Sequence, residues 1–308
     1  MTAPLRLATR ASALAMWQAN HVASLLRDAG GIACELVPVS TLGDRDKSQP
    51  LASLGGAGEA GQGVFTKEVQ RAVLAGDADF AVHSLKDLPT TPTAGLVLAA
   101  VPGRGPTADV LVSPKGTAIA SLADLSPGAT VGTGSPRRAA QLRHHRPDLR
   151  TTPIRGNVET RLSKLDAGEY DAIVLAEAGL VRLALADRVG VRLRPPIMWP
   201  AVSQAALGIE CRTDDVATIA TLRAIDDPST HRRVNAERDL LQTLRAGCGA
   251  AVGVRSRLGE RVHLEAVVLD LDGSHRLIAA GSGPDIGTQL GERLLDRGAA
   301  DLITASSH

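Results

Sequence analysis

The chain has 308 residues, with 34 basic and 33 acidic side chains and a formal net charge of +1. That balance, with aromatics at 2%, excludes a nucleic-acid surface built on charge and base stacking, and no apolar run reaches membrane-spanning length. Three cysteines without a C-x-x-C pair argue against a disulfide framework or a cysteine zinc site, and no metal centre is expected. The length allows two or three domains. Of the 34 basic residues 29 are Arg, the side chain suited to planar, two-point recognition of carboxylate or phosphate.

In chain order, residues 5–8 alternate like a strand and run into Thr9, Arg10, Ala11 and Ser12. Ser12 is placed to cap a helix whose apolar positions Leu14, Trp17, Val22 and Leu25 recur at helical spacing. Arg10 thus falls at a strand-to-helix turn, beside free backbone N–H groups that suit an anion. A surface Arg near a helix start would read the same way, and position alone leaves both readings open. Residues 34–39 make the next strand, with Cys34 as a core thiol. The basic, acid-poor stretch before Asp28 is slightly like a transit peptide, but reads better as strand and helix, so a soluble cytoplasmic protein is expected.

Residues 40–63 are polar and glycine-rich and too long for an ordinary βα connection, which makes them a lid or a disordered loop. Gly56, Gly58 and Gly61 match G-x-G-x-x-G, but no strand feeds the pattern and more loop follows it, so a mobile loop is the better reading. A helix over 66–75 leads to a strand over 80–82. This strand runs straight into His83, Ser84, Lys86 and Asp87 before Pro89 stops regular structure. Ligands of α/β proteins sit beyond the carboxyl ends of parallel strands. Solvated loop charges are the commoner fate of neighbours such as Lys86 and Asp87, yet a buried-looking strand without a spacer favours function. Asp87 is the first catalytic candidate.

Residues 96–101 add a strand, and after residues 102–106 the pattern restarts. Strands are expected at 110–113 and 130–132, the second ending in Thr133, Gly134 and Ser135. Ser135 as cap and Pro136 at the first helical position start a helix reaching about His145. A turn holding Arg155 and Gly156 precedes a helix over 158–167, a strand over 172–176 and a helix from about Ala178. The helix-end, acidic-turn, strand pattern of 76–82 recurs at 168–174, and the strand-turn-cap design of 9–12 recurs at 133–135. These echoes predict two similar α/β lobes with strand ends facing one cleft.

Pro195, Pro196 and Pro200 mark a linker, after which a helix over 203–211 is expected to return to the first lobe. From Asp226 a separate unit follows: a helix to Leu244, a glycine loop holding Cys248, strands at 251–255, 262–269 and 276–280, and a helix over 286–297. The expected domains are 1–102 with 203–225, then 103–202, then 226–308. Arg10, Arg137 and Arg138 lie at expected helix starts, Arg155 in a turn, and Arg161 and Arg182 within helices. Several arginines at strand ends imply a polyanionic ligand, and carboxylates match the guanidinium fork. Cys248, between Gly247 and Gly249, has no neighbours to bury it; position alone leaves it incidental or an attachment point.

Five segments in order, 7–12 (LATRAS), 81–89 (AVHSLKDLP), 155–162 (RGNVETRL), 208–211 (GIEC) and the Gly247–Cys248 loop, carry a resemblance. Over nearly its whole length the chain resembles the porphobilinogen deaminase family. The resemblance implies an α/β fold with two similar periplasmic-binding-protein-like lobes plus a small C-terminal α+β domain. It implies one covalent dipyrromethane cofactor per chain, held by a thioether to Cys248. The implied reaction joins four porphobilinogen units head to tail with loss of ammonia, and water then releases the linear hydroxymethylbilane. By the same resemblance Asp87 hydrogen-bonds pyrrole nitrogens and steadies positive charge. Ser84, Lys86, Thr133, Ser135, Arg137, Arg138 and Arg161 would contact the cofactor, and Arg10, Ser12, Arg155 and Arg182 the substrate. A cytoplasmic monomer with porphobilinogen as substrate, and no nucleic-acid or membrane partner, is expected.

The chain departs from the family pattern at three places. Gln62 and Ser53 stand where relatives often carry lysine, and Ser203-Gln204-Ala205 replaces Gly-Gln-Gly, which would stiffen a hinge. A non-catalytic solute-binding protein would use the same arginines, but the Cys248 unit and the missing signal peptide count against it. A nucleotide-dependent enzyme rests only on the 56–61 pattern.

Overall fold

The computed structural model describes residues 3–41, 66–247 and 249–304. The expected lid with Ser53, Gln62 and the 56–61 pattern, and Cys248 itself, lie outside the described residues. The first stretch holds β1 (Leu5–Arg10), α1 (Ala13–Gly30), β2 (Cys34–Val39), α2 (Lys67–Leu74), β3 (Phe80–Ser84) and β4 (Leu96–Ala100). Next come β5 (Asp109–Val112), β6 (Thr130–Gly132), α3 (Pro136–His145), β7 (Arg150–Thr152), α4 (Val158–Asp166), β8 (Ala172–Ala176), α5 (Glu177–Arg182) and β9 (Val191–Leu193). The chain closes with β10 (Leu207–Arg212), α6 (Val216–Arg223), α7 (Pro228–Thr243), β11 (Ala251–Leu258), β12 (Val262–Leu269), β13 (Arg276–Ser282), α8 (Ile286–Asp296) and α9 (Ala299–Thr304).

Two five-stranded sheets run β2-β1-β3-β10-β4 and β7-β6-β8-β5-β9, and a three-stranded sheet runs β11-β12-β13. In the first, β1 is parallel to β2 and β3, while β10 is antiparallel to β3 and β4. In the second, β6 is parallel to β7 and β8, while β5 is antiparallel to β8 and β9. Order and polarity therefore repeat, and the chain holds two α/β lobes of one topology. The third sheet is antiparallel throughout and packs with α7, α8 and α9. Residues group into two compact units, Met1–Gly105 with Ala205–Val234, and Pro106–Gln204 with Asn235–His308.

Each central strand reads as continuously apolar because both of its faces are covered. Phe80 and Val82 of β3 pack with Leu7, Ala19, Val22, Leu26 and Leu222, whereas Ala81 points the other way onto Ala8, Val69 and Val73. The small side chains on that second face let α2 approach closely. In the second lobe Ala172 and Val174 of β8 meet Leu142 of α3, and Ile173 and Leu175 meet Leu162, Leu165 and Leu180.

The helix expected over 203–211 is a strand. Ser203 and Ala205 have φ of +57° and +69°, the left-handed region, which no right-handed helix contains. From there Leu207, Ile209 and Cys211 alternate into the β3 core, and Glu210 faces the opposite side, where Gln70 Nε2 donates to it at 2.9 Å. The three-residue edge strands β7 and β9, and helices α6 and α9, lie where the sequence reading placed no element.

Candidate active site

In the first unit β3 delivers its last residue, Ser84, into a single 3-10 turn over Leu85–Asp87. Leu85 anchors the turn: it is fully buried with Leu88, Val101 and Ala206, and its N–H donates to the Ala206 carbonyl at 3.0 Å. Glycine is required opposite, since a Cβ at Gly208 would stand 2.7 Å from Leu85 Cδ1. With Leu85 fixed inward, Lys86 and Asp87 are left half-buried at the strand end.

Arg10, Ser12, Gln18, His83, Ser84 and Asp87 line one pocket here. Ser12 caps α1, its hydroxyl accepting the Ala15 N–H at 3.4 Å, so the helix start and the β3 end share the pocket. Gln18 was not singled out from the sequence, yet its Nε2 donates to Ser84 Oγ at 2.8 Å. The signal was present: Gln18 is a polar residue among the buried positions Ala15, Ala19, Val22 and Leu26 of α1. His83 is turned into the fold, its Nε2 3.1 Å from the buried Glu210 carboxylate.

The second unit repeats the design at β6. Thr133 Oγ1 accepts the Ser135 N–H at 3.2 Å, and Ser135 Oγ accepts the Arg138 N–H at 3.4 Å, capping α3 ahead of Pro136. Beside it, Asn157 caps α4 by accepting the Thr160 N–H at 2.8 Å. Between them Gly156 takes φ +113°, which glycine tolerates. Two helix N-termini thus open near Arg155 and Arg161, a setting that favours anions.

The arginines differ in what already occupies them. Arg137 and Arg138 are 5% and 6% exposed and both point at Asp109, a residue the sequence reading passed over. Arg161 Nε donates to the Gly156 carbonyl at 2.9 Å. Arg155 Nη1 is buried and meets no acceptor among the described residues. Burial holds the Arg182 guanidinium down to about 10. A ligand bearing carboxylates fits such groups, because it would satisfy Arg155 and offset the cost of its burial. Burial also raises the Cys34 thiol and pushes Cys211 up to about 11, so neither is a ready thiolate near neutral pH. Among the described residues no cluster of His, Cys, Asp and Glu could hold a metal, and no helix is long and apolar enough to cross a membrane.

Each α/β lobe presents hydroxyls and guanidinium groups at its strand ends, and the first adds an aspartate, the chemistry of an enzyme rather than of a bare scaffold. Residues 5–220 match the family described as "Porphobilinogen deaminase, dipyromethane cofactor binding domain", and residues 231–296 match its "C-terminal domain". The chain belongs to the porphobilinogen deaminase family. It is 45% identical over 309 residues to the porphobilinogen deaminase of Acidothermus cellulolyticus, covering 98% of this chain and 89% of that one. The enzyme of Thermobifida fusca is 44% identical over 317 residues, covering 98% and 96%. Among solved structures, the methionine-binding protein MetQ aligns at 13% identity with a TM-score of 0.45, over 76% of this chain and 96% of that one. So distant a likeness adds nothing to the strand order. The resemblance carried by the five motifs is borne out, as are the α/β class with paired lobes and the transferase activity.

Proposed function

We propose that this chain is a hydroxymethylbilane synthase, a transferase that condenses four porphobilinogen units head to tail with release of ammonia and then hydrolyses the linear tetrapyrrole free. The observation that carries the reading is the near full-length family match together with Asp87 in one pocket with Arg10, Ser12 and Ser84. The matched first domain is the family's cofactor-binding domain, and the bound dipyrromethane supplies the pyrrole carbon from which the chain is built.

The chain's own residues then divide the work. Asp87 accepts pyrrole N–H groups, and its negative charge steadies the cation that develops as ammonia leaves. Gln18 already donates to Ser84 Oγ, which leaves the Ser84 hydroxyl proton for a ligand acceptor. Ser84, Lys86, Thr133, Ser135, Arg137, Arg138 and Arg161 hold the cofactor; Arg10, Ser12, Arg155 and Arg182 receive the acetate and propionate of incoming substrate. Cys248 carries the thioether, a reading supported by the raised thiols of Cys34 and Cys211. Residues 1–102 with 203–225, 103–202 and 226–308 act as three domains of a cytoplasmic monomer without nucleic-acid or membrane partners.

Intact mass and Ehrlich colour of the purified chain, followed by ammonia release on adding porphobilinogen, test the proposal. A mass excess of one dipyrromethane and one ammonia per porphobilinogen consumed are expected. An unmodified chain that consumes porphobilinogen would remove the cofactor reading, and a modified chain inert to porphobilinogen would remove the activity.

A further inference from the structure

Asp109 opens β5 with no exposed surface. Its Oδ2 accepts Arg137 Nη1 at 2.7 Å, and its Oδ1 accepts Arg138 Nε at 2.9 Å and forms an ion pair with Nη2 at 2.8 Å. Gln204 Nε2 adds a donor to Oδ1 at 3.1 Å while also reaching the Thr107 carbonyl at 2.7 Å. Burial pushes the Asp109 carboxyl up, but the guanidinium groups of Arg137 and Arg138 outweigh it and hold the group well below the usual carboxylate range. The cluster is therefore two cations on one fully buried anion, with a few per cent of each arginine still exposed and an uncompensated positive charge. A buried excess charge is costly, and an anion brought by a ligand would balance it.

The two arginines are not equivalent. Arg138 spends its remaining Nη1 on the Val174 carbonyl at 2.9 Å, so all three of its nitrogens are engaged. Arg137 Nη1 is shared between Asp109 and the Trp199 carbonyl. Its Nε–H and the two N–H bonds of Nη2 meet no acceptor among the described residues. The Gln204 amide is itself held by unusual backbone, since Ser203 and Ala205 on either side are left-handed, and strain of this kind persists where the surroundings over-determine it.

We propose that Asp109 is a positioning residue that fixes Arg137 so its open N–H edge meets a ligand carboxylate, with Arg138 and Gln204 holding the Asp109 carboxylate in place. This rests on the reading above that Arg137 grips a cofactor carboxylate.

The test uses the full chain and reads the fraction of molecules carrying dipyrromethane by intact mass, with the melting temperature alongside. Asp109→Asn keeps the shape and removes the charge; its cofactor occupancy should fall about tenfold or more in protein that is still folded by circular dichroism. Asp109→Glu, which restores the charge, should recover part of that loss. Leu26→Ala, a cut in the apolar core of the first lobe that shares no residue with the Asp109 network, should lower the melting temperature while keeping occupancy. Wild-type occupancy in Asp109→Asn, or an equal loss in Leu26→Ala at matched stability, overturns the proposal. Should Asp109→Asn fail to fold, Gln204→Leu decides: slower cofactor uptake supports the role and unchanged uptake overturns it. A wild-type chain without any adduct would instead defeat the cofactor reading beneath the proposal, so the two failures are told apart.

Discussion

Asp87 and Asp109 are both aspartates near arginine-bearing strand ends, and they differ in burial. Asp87 is half-buried in an open pocket, whereas Asp109 is sealed. Asp87→Asn should therefore fold with stability within ~0.5 kcal/mol of wild type and carry cofactor, while losing roughly 10²–10³ in condensation rate. Ammonia release at the wild-type rate would sink its role. For Asp109, the folded value is depressed, so its stabilisation is present above the unfolded carboxylate value of about 3.9 and is lost as pH falls below it. The stability gap between wild type and Asp109→Asn should be about 3–5 kcal/mol near neutrality and shrink on acidification, as denaturant titrations at several pH values would record. Cys248→Ser should abolish the adduct, whereas Cys34→Ser and Cys211→Ser should keep it; an adduct mapped by peptide mass to Cys211 would contradict the thioether assignment. The place of Asp87 in a pocket just past a strand end was legible in the sequence because it follows an apolar strand directly. Asp109 was not, because its meaning lies in side chains from α3 and the turn before β10, and a single acid ahead of Val-Leu-Val looks like a loop charge.

At the scale of elements, the segment Ser203-Gln204-Ala205 shows what pattern reading misses. The apolar residues of 203–211 fit a helix loosely, and only the left-handed backbone at Ser203 and Ala205 exposes the run as turn and strand. Ser203 combines that strained φ with a fully buried hydroxyl lacking a partner among the described residues. Ser203→Gly should relieve both and raise stability by ~1–2 kcal/mol after the chain-entropy cost of glycine. A melting temperature at or below that of wild type would show that the turn is not strained. Helix caps were the most legible feature: Ser12 and Ser135 were placed correctly from the sequence because a hydroxyl just before a periodic apolar run has one good local use. The edge strands β7 and β9 were not, since a short strand such as Arg150-Thr151-Thr152 carries no apolar alternation.

For the whole molecule, the echo between 76–82 and 168–174 did foretell two lobes, because each lobe must bury the same kind of central strand between helices. What the echo could not foretell is where the antiparallel strands come from. The second lobe draws β5 and β9 from its own stretch, but the first lobe receives β10 only after residues 106–204 have passed. On a ribosome adding about 5–20 residues per second, the N-terminal sheet would wait on the order of 5–20 s with β3 and β4 facing an empty place. Those open edges are a template for wrong pairing. The later-made lobe is thus the one able to finish first, the reverse of the usual N-to-C order. A chain ending at residue 204 should show protease protection across 106–204 and cleavage within 66–105. Equal protection of both stretches would mean the first sheet closes without β10. Birth order, and not only the finished architecture, would then make the amino-terminal half the part most in need of a chaperone.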